Sequence, residues 1–167
     1  MVADHQLPNM IKKFICTIIF CLLTQASFAA GSDSDSDTDN YLDQYKAAKK
    51  LIIRGKKLET KGKNDKAIKL YNSAYTKLLE ANKLENRNPD ILNYLGFTLR
   101  KAGKFEQAEK YYLQGLKIKP DHNGINEYLG ELYVKTKRIN LAKERLAVLK
   151  DCNCDEYKEL EEVIKNN

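Results

Sequence analysis

A short pattern occurs twice in this chain. Residues 93–96 read Asn-Tyr-Leu-Gly and residues 127–130 read Glu-Tyr-Leu-Gly, an offset of 34 residues that also carries Ala108 onto Ala142. An offset of 34 residues is the length of one two-helix repeat unit, and such a unit has to stack on a neighbour to bury its apolar face. The sequence therefore predicts a stack of helical hairpins, whose groove favours binding over catalysis.

Apolar residues recur at helical spacing from Tyr41 onwards. Glycine and proline are scarce, at 8 and 3 residues, and the breaks between the apolar segments contain Gly62, Pro89, Gly103, Pro120 and Gly124. Asn88 is the predicted N-cap of a helix whose first turn contains Pro89. Seven helices are predicted, at residues 41–61, 64–86, 89–102, 105–118, 123–136, 139–151 and 155–165.

The spacing of these residues resembles the tetratricopeptide repeat. The middle unit carries Leu92, Leu95, Gly96, Leu99, Ala108, Tyr112, Gly115 and Pro120. The next unit carries Asn126, Leu129, Gly130, Tyr133, Ala142, Leu146 and Leu149, and a degenerate first unit carries Leu51, Gly55, Leu58, Ala67, Tyr71 and Ala74. The resemblance implies an all-α fold, a right-handed superhelical α-solenoid of three hairpins (about 48–88, 89–122 and 123–151) within residues 41–151.

The resemblance also implies which residues pack the repeats together. Glycines on the first helices are expected to face alanines on the second helices, because a side chain at the glycine would block close contact. The repeat-packing residues are Gly55, Ala67, Leu95, Gly96, Ala108, Pro120, Leu129, Gly130 and Ala142. The first unit aligns at a shift of 41 residues instead of 34, so its second helix should be two turns longer, with residues 78–86 projecting beyond the stack.

In a stack of this kind the first helices line the concave face. The expected partner-binding residues are Asn93, Tyr94, Phe97, Arg100, Lys101, Glu127, Tyr128, Glu131 and Lys135, preceded on the first helix by Lys49, Ile52 and Lys56. Aromatic side chains flanked by charges are typical of peptide-binding surfaces. Tyr94 and Tyr128 lie 34 residues apart, and packing between hairpins explains them equally well.

The first forty residues have the composition of an export signal and a spacer. Lys12 and Lys13 precede a ten-residue apolar run, which predicts a signal peptide over residues 1–29, starting at Met1 or Met10 and cleaved between Ala29 and Ala30. An uncleaved anchor helix is the alternative. Residues 30–40 alternate Ser and Asp, which predicts a disordered spacer. We expect a periplasmic protein that meets the membrane only transiently, through its signal peptide.

Two cysteines remain after that cleavage, in the turn that opens residues 152–167, the predicted cysteine turn and capping helix. Paired cysteines in an oxidising compartment usually form a disulfide, so a disulfide between Cys152 and Cys154 is expected. Cross-linking to a partner, redox activity and metal binding are the alternatives. Zinc is disfavoured because it needs about four ligands and His122 would be the only histidine of the mature chain.

These features predict a non-enzymatic adaptor that holds a peptide or protein segment and needs no cofactor, metal or catalytic residue. The net charge is +6, but acidic and basic residues are interleaved, so nucleic-acid binding is not expected. Two alternatives stay open: an oligomeric envelope scaffold, in which copies associate through their end helices, and a thiol-redox protein using Cys152 and Cys154.

Overall fold

In a computed structural model the described residues, 33–167, form seven helices. The helices are α1 (Asp33–Glu59), α2 (Asn64–Leu84), α3 (Pro89–Lys101), α4 (Phe105–Ile118), α5 (Asn123–Lys135), α6 (Ile139–Val148) and α7 (Asp155–Lys165). The predicted all-α fold of three hairpins and a terminal helix is confirmed. The predicted signal peptide and the start of the spacer lie outside the described residues.

The start of α1 corrects one prediction. The spacer was expected to be disordered through residue 40, but the helix already begins at Asp33. The segment from Asp33 to Asp39 carries four aspartates, and acidic residues are favoured in the first turn of a helix because of the helix dipole. The acidic composition that argued against a helix interior is therefore compatible with a helix start.

The first hairpin is longer than the others. Helix α2 has 21 residues against 14 in α4 and 10 in α6, which confirms the two extra turns. These turns do not project uncovered as predicted, because Leu78 and Ala81 are fully buried. The N-terminal part of α1 covers them, with Tyr41 and Tyr45 packed against the same cluster.

Side chains cap α3 and α5, the helices that begin the second and third hairpins. The Asn88 side chain accepts hydrogen bonds from the backbone N–H of Asp90 and of Ile91, so the predicted N-cap is confirmed. His122 accepts the N–H of Ile125 at its Nδ1, 3.2 Å away. Its Nε2 lies 3.1 Å from Asp90 Oδ1, which ties the start of α5 to the start of α3.

The repeated glycines allow tyrosine rings to approach the first helices. A Cβ atom at Gly55 or Gly96 would fall on the ring of Tyr71 or Tyr112, respectively, and for Gly96 the distance is 2.5 Å. Both tyrosines are fully buried. The expectation that the glycines face alanines is therefore corrected: the nearest side chain is the aromatic ring one helical turn after the alanine.

The third hairpin uses a different side chain at this place. Leu146 stands where the first two units have tyrosine, and the nearest side chain to Gly130 is Leu160 of α7. Because leucine is smaller than tyrosine, it leaves a space that the fully buried Leu160 fills. Helix α7 thereby covers α5, and Val163 and Ile164 pack on the same apolar cluster.

The turn before α7 brings the two cysteines together. The sulfur atoms of Cys152 and Cys154 lie at bonding distance, and their Cα atoms are 5.2 Å apart. Asn153 between them has a φ of 47°, in the left-handed region that asparagine tolerates better than most residues.

Among the helices of residues 33–167, none combines the length and the apolar character needed to cross a bilayer.

The glycine contact predicts the effect of Gly96→Ala. The added methyl group would meet the buried ring of Tyr112, so we expect the free energy of unfolding to fall by about 1–3 kcal/mol. This loss should exceed the gain of about 1 kcal/mol in helix propensity. Urea denaturation followed by circular dichroism measures the change.

Gly115→Ala is the matched control. Its Cβ would come closest to Cδ1 at the tip of the Ile125 side chain and would lie at ordinary contact distance, 3.5 Å, from Leu92 Cβ. Because the tip of a flexible side chain moves more easily than a ring, the loss of stability should be smaller. A Gly96→Ala variant as stable as the original protein would contradict this account of hairpin packing.

Candidate functional site

Side chains from α1, α3 and α5 meet on one side of the stack. We call this surface the groove face, and it comprises Tyr45, Lys49, Lys56, Glu59, Tyr94, Phe97, Arg100, Lys101, Tyr128 and Glu131. It joins positions distant in sequence: the ammonium of Lys56 donates to the hydroxyl oxygen of Tyr128, 2.8 Å away and 72 residues along the chain. The stacking of successive first helices brings these side chains together.

Four aromatic rings form the floor of the groove face. Phe97 contacts the buried ring of Tyr71 edge-on, with ring centroids 5.4 Å apart, and the ring of Tyr128 at 5.1 Å. Tyr94 contacts Tyr45 at 6.0 Å. Phe97 is 1% exposed, so it supports the surface from below, whereas Tyr45, Tyr94 and Tyr128 are half-buried. Tyr94 and Tyr128 therefore pack between hairpins, as one interpretation expected, and each keeps an accessible edge, so their role in binding stays a prediction.

Two lysines on α1 lie over these rings. The Lys49 ammonium is 5.4 Å from the centroid of Tyr45 and 5.9 Å from that of Tyr94. The Lys56 ammonium is 5.1 Å from the centroid of Phe97 and 5.2 Å from that of Tyr128. Cations at such distances are attracted by the negative face of an aromatic ring. In the described part of the chain neither ammonium is within ion-pair distance of a carboxylate.

Two further cations on α3 are already paired. Arg100 forms an ion pair with Glu131 of α5. The ammonium of Lys101 lies 3.0 Å from Glu59 Oε2 at the end of α1, and the same oxygen accepts a hydrogen bond from the Tyr71 hydroxyl at 2.7 Å. Glu59, which the sequence did not single out, thus links the floor of the groove face to its edge.

Besides Ile52 and Phe97, two polar residues that were predicted to line the groove are buried beneath the surface. Asn93 is 5% exposed and Glu127 is 3% exposed, which corrects the expectation that both point into open space. In both cases the next helix of the stack covers the side chain. Asn93 lies under α5 at Gly124, and Glu127 neighbours Glu159 of α7. One oxygen of each side chain has no hydrogen-bond partner among the described residues.

Burial changes the acidity of groups at this surface. Desolvation raises the pKa of Glu127 to about 9, and a hydrogen bond to Glu159 and the negative charge of Glu131 add to the shift. Burial also raises the pKa of Tyr45, Tyr94 and Tyr128. At neutral pH Glu127 is therefore uncharged, and the three hydroxyls keep their protons and can donate hydrogen bonds.

The remaining predicted residue, Lys135, lies at one end of the groove face. It is exposed, and with Arg100, Lys101 and Glu131 it lines an open cleft of ≈ 490 Å³ between α3, α5 and α7. Of the expected partner-binding residues, Tyr94, Arg100, Lys101, Tyr128, Glu131 and Lys135 thus reach the surface. The sequence analysis did not identify Tyr45, although it stands one helical turn before Lys49.

Within residues 33–167 no group of three His, Cys, Asp or Glu side chains is placed to hold a metal ion.

Known proteins resemble this chain over its repeats. Human protein O-mannosyl-transferase TMTC3 is 31% identical over 80 residues, which is 48% of this chain and 9% of that protein. The mouse protein of the same name is 32% identical over 74 residues, or 44% of this chain and 8% of the relative. The chain spans less than a tenth of the length of these curated relatives.

Solved structures share the fold at low sequence identity. The translocator chaperone SycD of type III secretion from Yersinia enterocolitica superposes with a TM-score of 0.52 and 16% identity, covering 72% of this chain and 88% of that one. The second TPR domain of human RPAP3, solved in complex with an HSP70 peptide, has a TM-score of 0.48 and 20% identity, covering 74% and 97%.

A family model assigns the repeat itself. Residues 89–122, which contain the α3–α4 hairpin, match the model described as the tetratricopeptide repeat. The first hairpin repeats its glycine-to-ring packing, whereas the glycine of the third hairpin meets Leu160 of α7. Residues 89–122 are therefore a tetratricopeptide repeat, and the stacked hairpins give the described residues the all-α solenoid fold of tetratricopeptide-repeat proteins.

Proposed function

We propose that this protein is a non-enzymatic interaction module that binds an extended peptide or protein segment along its groove face. The observation that carries the proposal is the row of half-buried rings, Tyr45, Tyr94 and Tyr128, with cations held above them. Rigid aromatic side chains provide contact area at a small cost in conformational entropy, and tyrosine and arginine are enriched among residues that dominate binding.

The charges of the groove face support a polar ligand of net negative charge. Four cations, Lys49, Lys56, Arg100 and Lys101, stand against two ionised carboxylates, Glu59 and Glu131. Glu127 adds no charge at neutral pH because its pKa is raised. Electrostatic complementarity with such a surface increases the rate of association and selects among partners.

The chain is proposed to work in an oxidising, periplasmic compartment after export. The apolar segment near its start supports export, and the bonding-distance sulfurs of Cys152 and Cys154 support a disulfide. Such a bond fixes the turn into α7, whose Leu160 covers α5. Its role is therefore structural, and the neighbouring Asp151 and Asp155 would disfavour the thiolate that redox exchange requires.

A peptide selection tests the binding proposal. A random peptide library displayed on phage is selected against the purified protein, and the recovered peptides are measured by isothermal titration calorimetry. We expect Tyr128→Ala and Tyr94→Ala to weaken binding roughly tenfold or more, because each removes a central aromatic contact.

Tyr157→Ala is the matched control for that selection, because Tyr157 lies on α7 and its hydroxyl contacts Glu161. It should bind the peptides as the original protein does. The proposal is wrong if no peptide is recovered, or if both groove variants retain full affinity.

The buried carboxyl group of Glu127 predicts a pH dependence of stability. Between about pH 4.5 and pH 9 the folded protein retains a proton that the unfolded chain loses. The free energy of unfolding contributed by this group should therefore fall as the pH rises through that window, by on the order of 1 kcal/mol per pH unit at most.

Glu127→Gln should flatten this dependence, since glutamine has the shape of the protonated acid and does not titrate. Urea denaturation at several pH values measures it. The exposed Glu162→Gln serves as the control and should keep the original slope, whereas an unchanged slope in Glu127→Gln would show that Glu127 is ionised in the folded state.

The state of the cysteines is a separate prediction. Alkylation of the unfolded but unreduced mature protein should leave Cys152 and Cys154 unmodified in a mass spectrum, and prior reduction should expose both. Modification without reduction would contradict the disulfide.

A further inference from the structure

The two lysines of α1 that lie over aromatic rings differ from the other cations of the groove face. Arg100 and Lys101 have carboxylate partners, Glu131 and Glu59. Lys49 and Lys56, the lysine pair, have rings beneath them and no carboxylate within ion-pair distance among the described residues. Lys56 uses one donor on the Tyr128 hydroxyl, and an ammonium has three. Both lysines are therefore held in place with hydrogen-bond donors to spare.

The hydroxyl groups beside the lysine pair complete two anion sites. Tyr128 accepts the hydrogen bond from Lys56, which leaves its own proton free to donate. The Lys49 ammonium lies over the rings of Tyr45 and Tyr94, and the hydroxyls of these rings keep their protons at neutral pH because burial and the negative charge of Asp90 raise the pKa of both. A carboxylate accepts such donors from more than one side, and hydrogen bonds between ionised groups are about twice as strong as neutral ones.

The separation of the lysine pair sets the spacing of a ligand. Seven residues along α1 amount to about 10.5 Å of rise and nearly two full turns, so both side chains leave the same face of the helix. In a polyproline II conformation three residues make one turn and advance about 9.3 Å. In a β-strand residues three apart point to opposite faces, so the polyproline II form fits and the β form does not.

We propose that the lysine pair recognises two acidic side chains separated by two residues in a peptide that lies along the groove face in a polyproline II conformation. One carboxylate binds Lys49 beside Tyr45 and Tyr94, and the other binds Lys56 beside Tyr128. This inference rests on the proposed function and adds the chemistry and the spacing of the ligand.

Synthetic peptides test the spacing directly. Blocked proline-rich peptides carry two glutamates with no, one, two or five residues between them. The affinity of each peptide is measured by fluorescence anisotropy at low ionic strength. The peptide with two intervening residues should bind more tightly than its adjacent and one-apart isomers by roughly three- to tenfold. Equal affinity of the isomers would overturn the proposed spacing.

The chain offers a natural probe with the wrong spacing. Residues 33–39 carry aspartate at every second position, so no two of these aspartates are three residues apart. A blocked peptide of this sequence has more charge than the designed ligand but should bind less tightly. Tighter binding would show that total charge, not spacing, governs recognition.

Lysine variants assign each carboxylate to its site. Lys49→Met and Lys56→Met keep most of the side-chain stem and remove the charge, and each should reduce the affinity for the two-glutamate peptide roughly three- to tenfold. When one glutamate of the peptide is replaced by glutamine, the substitution of the lysine that binds that glutamate should no longer reduce the affinity. Lys50→Met, on the exposed side of α1, is the matched control and should bind as the original protein does.

The outcomes separate the two levels of the proposal. If the binding of peptides from the random library depends on Tyr94 and Tyr128 but is unaffected by Lys49→Met and Lys56→Met, the proposed function is retained and the acidic-pair inference is overturned. Failure of every peptide to bind would overturn both. Circular dichroism melting of each variant confirms that it is folded.

Discussion

The close approach of a tyrosine ring to a glycine is the contact on which this fold depends. In each of the first two hairpins a buried ring lies against the glycine of the first helix, where no other residue leaves room. The ring fixes the separation of the two helices, and that separation decides where the next hairpin can stack. The groove face exists only because α1, α3 and α5 are held at matching positions. Its aromatic floor shares this support, since Phe97 rests on Tyr71.

Much of the fold follows from periodicity and from breaks in the sequence. The doubled Tyr-Leu-Gly pattern, the N-cap at Asn88 and the longer α2 were all predictable, because each depends on local residues. The covering of α2 by α1 was not, because it depends on how the two long helices pack, which places Tyr41 and Tyr45 against the cluster that contains Leu78 and Ala81. The contact of Leu160 with Gly130 was also missed, since it joins residues of two helices that no sequence period relates.

The candidate site was predictable in position but not in depth. Helical spacing placed Asn93, Phe97 and Glu127 on the side that faces the groove, but spacing alone does not say how closely the next helix approaches. The neighbouring hairpins cover all three. The ion pairs could not be predicted from the sequence either. Lys101 pairs with Glu59 and Arg100 pairs with Glu131 only because the stack brings three helices together. What distinguishes Lys49 and Lys56 is therefore a property of the assembled surface.

Helix α7 covers the side of α5 that faces away from α3. Its apolar side packs on α5, and its outward side carries the exposed residues Asp155, Lys158 and Glu162. A hairpin that stacked directly on this outward side would have to bury these charges without partners, which is costly. The charged side of α7 therefore keeps this part of the surface in contact with water.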